Sequence, residues 1–184
     1  MSGKPKTAAD CTLIAPLPCW WKGGESMAEL KIYRIREDYI AHLHSVDNKV
    51  QYNKGAKRPY VGIVLSVHDH DYFVPMESPK PSHARLKSSV HIIKIEGGKY
   101  GLLGFNNMVP AKKRHLVDFD IDAEANPSYK ALLKNQLRFC RNNRDRITSR
   151  AAKTYEAAVV KAQPFYLGIC CDFRLLEQES RRFF

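Results

Sequence analysis

Tyr72-Phe-Val-Pro-Met-Glu-Ser-Pro-Lys-Pro-Ser-His83 begins as an apolar run of strand character and stops at a stiff polar loop. Pro79 and Pro81 fix φ on either side of Lys80, so its ammonium rides on a rigid backbone. Ser78, Lys80 and His83 are delivered together at one strand end, with Glu77 beside them. A rigidly held lysine next to a hydroxyl suits a phosphate group. Taken by itself, the stretch also reads as an ordinary proline-rich turn with a solvated lysine, so its neighbours decide.

Upstream, Arg58-Pro-Tyr-Val-Gly-Ile-Val-Leu65 has the β-branched and aromatic content of a buried strand. Tyr60–Val67 and Asp71–Met76 flank the turn His68-Asp-His-Asp71, which predicts a hairpin. His91–Glu96 and Lys99–Phe105 surround Gly97-Gly98 and predict a second one, and Ala111–Asp120 reads as a further strand. Before these, Leu30–Ile35 alternates like a strand and Glu37–Val46 places Tyr39, Ile40, Leu43 and Val46 on one helical face; residues 47–59 form a polar loop. Asn126 and Pro127 make an N-cap and N1 pair that opens a helix from Ser128 to about Arg141. Tyr129, Leu132, Leu133, Leu137 and Cys140 form its apolar stripe. Strands gather in the first half and helices in the second, which predicts an α+β fold in one domain.

Lys and Arg total 30 against 19 Asp and Glu, a net charge of +11 in 184 residues. Such a balance suits a polyanionic partner such as nucleic acid without saying which. Lys130, Lys134, Arg138 and Arg141 recur at helical spacing beside the apolar stripe, and Arg144, Arg146, Arg150 and Lys153 carry the charge onward. The row is either a solvated face or a ridge that tracks phosphates. The five cysteines are odd in number and contain no C-x-x-C pair, so neither a disulfide framework nor a zinc site is expected, and a reducing cytoplasm is the simpler setting. The histidines of His68-Asp-His-Asp71 lack an evident third ligand, and no metal or cofactor is expected. No apolar run approaches the ~18 residues of a spanning helix, so no membrane partner is expected.

Residues 1–26 show no periodicity and precede Met27, after which the strand-like Leu30–Ile35 begins. They read as a disordered leader, or as a translated ribosome-binding region with the start at Met27, because Lys22-Gly-Gly-Glu25 can be encoded by a purine tract. A chain beginning at Met27 is expected to fold as the full one does.

The order RPYVGIVL, YFVPMESPKPSH, GLLGFNNMVP, a Tyr129-containing helix and a closing CDFRLLEQESRRF resembles the ToxN/AbiQ family of endoribonuclease toxins from type III toxin–antitoxin systems, from about Lys31 to the C-terminus. The resemblance implies a compact, strongly twisted antiparallel sheet with surrounding helices, akin to MazF/Kid toxins, over residues 27–184. It implies that Ser78 to Lys80 is central to cleavage, and that Tyr52, Lys57 and Arg58 face the same site. Glu77 stands where the family often carries a hydroxyl, and reads either as a base or as a surface carboxylate pairing with Lys87. The implied activity is cutting of cellular or phage RNA, restrained by a small structured repeat RNA of pseudoknot type in a protein–RNA assembly. RNA can be cut without a metal, since its own 2′-hydroxyl can attack the adjacent phosphorus; the protein then supplies a base, an acid and cationic donors. Lys80 fits the cationic role, Ser78 can donate to a phosphoryl oxygen, and Glu77 or His83 can move protons. A non-catalytic RNA-binding module or a DNA-binding repressor would share the basic surface; no helix-turn-helix spacing supports the second.

Overall fold

The structure, a computed structural model, describes residues 29–87 and 89–184. The leader proposed for residues 1–26 lies outside them. Among the described residues seven strands form one antiparallel sheet: β1 (Lys31–Ile35), β2 (Tyr60–Val67), β3 (His70–Glu77), β4 (Ile92–Lys94), β5 (Leu102–Gly104), β6 (Val109–Ala111) and β7 (Leu116–Val117). Their order is β4-β5-β3-β2-β1-β7, and β6 pairs with the far end of β3. The helices are α1 (Glu37–Val46), α2 (Pro127–Asn142), α3 (Arg144–Tyr155), α4 (Pro164–Ile169) and α5 (Phe173–Arg182). The α+β expectation holds.

β2 and β3 form the predicted hairpin, with Tyr60 opposite Pro75 and Val67 opposite His70. The register shifts between Val61 and Leu65, and Gly62 lies inside that bulge. A Cβ there would stand 2.3 Å from the Phe73 ring, so close strand packing demands glycine. Both strands are almost wholly buried, which explains a near-continuous apolar run in place of alternation. At the turn His68 takes a left-handed φ of 53°, and Asp69 meets Arg181 at 3.0 Å, His70 at 3.2 Å and Lys112 at 3.6 Å. The His68-Asp-His-Asp71 motif is thus an ion-paired corner, and the Arg181 hydrogen bond draws the Asp69 carboxyl down to about 2.

α1 matches its expected bounds and buries Tyr39, Ile40 and Leu43. The Asn126 side chain accepts from the Tyr129 N–H, which confirms the cap of α2; that helix buries Leu133, Gln136 and Cys140. The closing helix α5 carries Glu177, whose Oε1 accepts from the hydroxyls of Tyr72 (2.7 Å) and Tyr155 (2.9 Å) and so pins β3 to α3. A hollow of about 490 Å3 opens beside this triad, at the end of β3 remote from Ser78. Cys140, Cys170 and Cys171 are buried free thiols, and burial pushes Cys140 and Cys170 up to about 12, far from nucleophilic use.

Residues 111–120 depart from the single strand expected there. The backbone leaves β6 at Ala111, makes a tight turn over Lys113–His115 and pairs again only at Leu116 and Val117. His115 causes the break: it is fully buried, stacks on Tyr39 with ring centroids 3.9 Å apart, and its carbonyl accepts from the Arg36 N–H at 2.8 Å. Among the described residues no helix is long and apolar enough to cross a membrane.

Candidate active site

Strand register alone brings two distant loops together. Tyr60 pairs with Pro75 and the Met76 N–H donates to the Pro59 carbonyl at 2.9 Å, so the chain entering β2 lies against the chain leaving β3. Between them opens a hollow of about 350 Å3. The first loop lines it with Gln51, Lys54, Lys57 and Arg58, the second with Glu77, Ser78 and Lys80, and Tyr129 of α2 adds a wall. Four cationic side chains face one carboxylate, so the hollow is positive and suits an anionic ligand.

The first loop is held from within. Asn53 is fully buried; its side-chain amide donates to the Ile35 carbonyl, and its own carbonyl accepts from the N–H groups of Lys57 and Arg58, both at 3.1 Å. Lys54, Gly55 and Ala56 all take positive φ, and the Ala56 N–H donates to Glu37 at 2.7 Å, tying the turn to the start of α1. Arg58 Nε donates to the Tyr52 carbonyl at 3.0 Å. The Tyr52 ring is exposed and rests on His44, centroids 3.9 Å apart. Tyr52 therefore stands at the rim, outside the lining residues.

The second loop is held from below. Lys80 is extended, with φ −137° and ψ 146°, and Pro81 opens the short turn Pro81–Arg85 behind it. Gly101, opposite this loop, has φ +95°, and a Cβ on it would lie 1.8 Å from the Glu77 carbonyl oxygen. Gly98 stands where a Cβ would be 3.3 Å from that of His83. The turn Gly97–Gly101 thus forms the floor under Glu77, Ser78 and His83, and α2 braces it through Gln136, whose amide donates to the Tyr100 carbonyl at 2.8 Å.

Lys80 Nζ donates to Glu77 Oε2 at 3.2 Å, Gln51 reaches the other carboxylate oxygen at 3.5 Å, and His83 Nε2 lies 3.7 Å from Oε2. Glu77 pairs with Lys80 and His83, not Lys87, so the surface-carboxylate reading gives way to a cluster inside the cleft. His83 is itself buried, at 3% exposure, and reaches any ligand only through Glu77. Ser78 and Lys80 are exposed to the hollow. Burial pushes the Tyr129 phenol above its ordinary range, against the pull of the Arg34 guanidinium.

The other basic candidates do not join this cleft. Lys87 is exposed beyond the turn that follows Lys80. Lys134, Arg138 and Arg141 line a separate hollow of about 320 Å3 on α2. Lys134 meets the Asp122 carboxylate and Lys130 the Asp122 carbonyl, both at 2.5 Å; Arg141 is tied to Glu29 at 2.9 Å and to the Leu30 carbonyl at 3.2 Å. Gln51, Lys54, Gly101 and Tyr129 were not anticipated as cleft residues. The spacing Gly97-Gly98-Lys-Tyr-Gly101 was the available signal for the floor, but it announces only a turn.

The fold has its counterparts among the toxins of type III toxin–antitoxin systems. The family model described as toxin ToxN, type III toxin–antitoxin system, matches residues 31–181. The chain belongs to this family. It is 33% identical over 162 residues to an endoribonuclease ToxN of Bacillus thuringiensis subsp. kurstaki, covering 83% of this chain and 84% of the relative. An endoribonuclease AbiQ of Lactococcus lactis subsp. lactis is 28% identical over 162 residues, 82% and 87% of the two chains. Among solved structures, one from a type III system whose toxin is selectively inhibited by a non-coding RNA pseudoknot superposes with a TM-score of 0.75 at 32% identity, over 84% of this chain and 98% of its own. The structure of AbiQ, a lactococcal anti-phage endoribonuclease, gives 0.73 at 26% identity, over 84% and 97%.

Proposed function

We propose that residues 27–184 form a cytoplasmic endoribonuclease toxin that cuts RNA without a metal and is neutralised by a small structured repeat RNA, which it also processes. The observation that carries this reading is that Ser78 and Lys80 line a positive cleft on a loop that lies in close contact with the glycine floor. In this reading Lys80 exchanges its contact with Glu77 for a phosphoryl oxygen as negative charge grows there, and Ser78 donates to the same group. Glu77, released from Lys80 and steadied by Gln51 and His83, is the acceptor best placed to move a proton between the 2′-hydroxyl and the departing 5′-oxygen. Tyr52, Lys57 and Arg58 hold the flanking nucleotides. The antiparallel sheet with its surrounding helices supports the further proposal that the fold is akin to that of the MazF/Kid toxins.

Among the described residues no three His, Cys, Asp or Glu side chains gather as a metal site would require, which favours attack by the 2′-hydroxyl. Purified toxin is expected to cut a short RNA in excess EDTA and to leave 2′,3′-cyclic phosphate and 5′-hydroxyl ends. End-group mapping that found 5′-phosphates, made only with a divalent ion present, would sink this mechanism. A non-catalytic RNA-binding module would bind the RNA and leave it whole.

The antitoxin must fill the substrate cleft to block it, and a folded RNA extends beyond it to the α2 row. Arg138 is the cleanest probe of that row, because among the described residues its guanidinium donates to the Asn135 side chain at 2.9 Å, whereas Arg141 holds the Leu30 carbonyl of the backbone. Arg138→Ala is expected to lower the slope of log affinity against log salt by about 0.7, the loss of one phosphate contact. An unchanged slope would make the row a solvated helix face.

A further inference from the structure

α4 is unlike the other helices in burying none of its residues. Phe165 is 61% exposed and Leu167 52%, and Val160, in the π-helical turn that follows α3, is 54%. Phe165 stands edge-on to Tyr166 with centroids 5.3 Å apart, and His91 approaches the two rings at 5.7 and 6.2 Å. Burial holds the His91 imidazole below its usual range, which favours the uncharged ring. Open aromatic faces of this kind lose favourable burial unless something covers them.

Two cations border the patch on its Tyr166 and Leu167 side. Lys49, Tyr166, Leu167 and Arg174 line a hollow of about 320 Å3, with Asp172 on the same wall. The Lys49 ammonium donates to the Leu167 and Cys170 carbonyls at 2.8 and 2.9 Å, which fixes it at the end of α4 without cancelling its charge. Lys49 is also only two residues from Gln51, a lining residue of the active cleft. At about 3.4 Å of chain per residue the backbones of Lys49 and Gln51, one lining each hollow, are within roughly 7 Å of one another.

We propose that the α4 face is a second RNA subsite, at which unpaired bases stack on Phe165 and Tyr166 while the adjoining phosphates enter the active cleft; this rests on the reading of that cleft as the RNA site. The occupant follows from the chemistry of the patch. Every base offers a π face to an aromatic ring, and the phosphates beside it match Lys49 and Arg174. A second copy of the chain, also at +11, would bring like charge against the same cations.

The test compares two non-cleavable, 2′-O-methylated single strands, one of about 4 nucleotides that fills the cleft and one of about 12 that also reaches α4. Phe165→Ala should weaken the long strand about tenfold, the loss of one stacked base, and leave the short one's affinity unchanged. Phe165→Leu, which keeps apolar bulk but no π face, should lose nearly as much. Equal affinity of wild type and Phe165→Ala for the long strand would overturn the subsite while leaving the cleft reading intact, and so would full recovery by Phe165→Leu. Should Phe165→Ala instead split a dimer and leave RNA affinity unchanged, the face is a self-contact. Wild type that binds neither strand would bring down the cleft reading and the subsite with it.

Discussion

Lys80→Ala is expected to reduce the cleavage rate by a factor of about 100 to 1,000 while the protein melts where the wild type does. The two halves of this result have separate physical origins. Lys80 sits in an exposed loop, its side chain 60% accessible, and among the described residues its polar contact is the ion pair with Glu77. An exposed pair of that kind contributes at most about 1 kcal/mol to folding. In the reaction the ammonium meets a phosphoryl group whose charge increases at the transition state, and there a positioned cation counts for far more. Toxicity in cells, compared at equal protein levels, should vanish along with the in vitro rate. If Lys80→Ala cut RNA at the wild-type rate, the Ser78–Lys80 loop would not be the catalytic element.

What the sequence declared was local. The bounds of α1, the Asn126 cap of α2 and the β2–β3 hairpin each depend on residues within a few positions of one another, and each is where the pattern put it. The stiff Ser78–Lys80 loop was equally legible, because prolines act on their immediate neighbours. What escaped was set by pairing across the chain. β3 shares one edge between two partners, β6 at Asp71–Phe73 and β5 at Met76–Glu77, and no periodicity reports such a division. Because β5 pairs at Glu77, the turn before it becomes the floor of the cleft; because α2 crosses that turn, Tyr129 becomes a wall. Asn53 looks like one more polar loop residue until its burial under β1 is seen. Ala111–Asp120 read as one strand, yet the stacking of His115 on Tyr39 outweighs continuous pairing. His83 shows the same limit in reverse: its place beside Lys80 was legible, its burial was not.

Gly101→Ala should be among the most damaging single changes available, costing about 4 kcal/mol or more and abolishing cleavage in whatever fraction still folds. Two effects combine. A φ of +95° is a conformation that L side chains rarely adopt, a cost of roughly 1–3 kcal/mol by itself. The added Cβ would also lie 1.8 Å from the Glu77 carbonyl oxygen and 3.2 Å from the Ser78 carbonyl carbon. Those are backbone atoms of the active loop, so relief cannot come from rotating a side chain; β3 must separate from β5 or the loop must lift. Gly97 supplies the control. It too has a positive φ, +66°, but a Cβ there would meet nothing within 4 Å. Gly97→Ala should therefore show the conformational penalty alone, about 1 kcal/mol, with cleavage retained. Denaturant melts of the two variants, read beside their cleavage rates, separate strain from collision. Equal stability of the two would mean that the glycine floor does not hold Ser78 and Lys80 in place, and the rigidity of that loop would have to come from Pro79 and Pro81 alone.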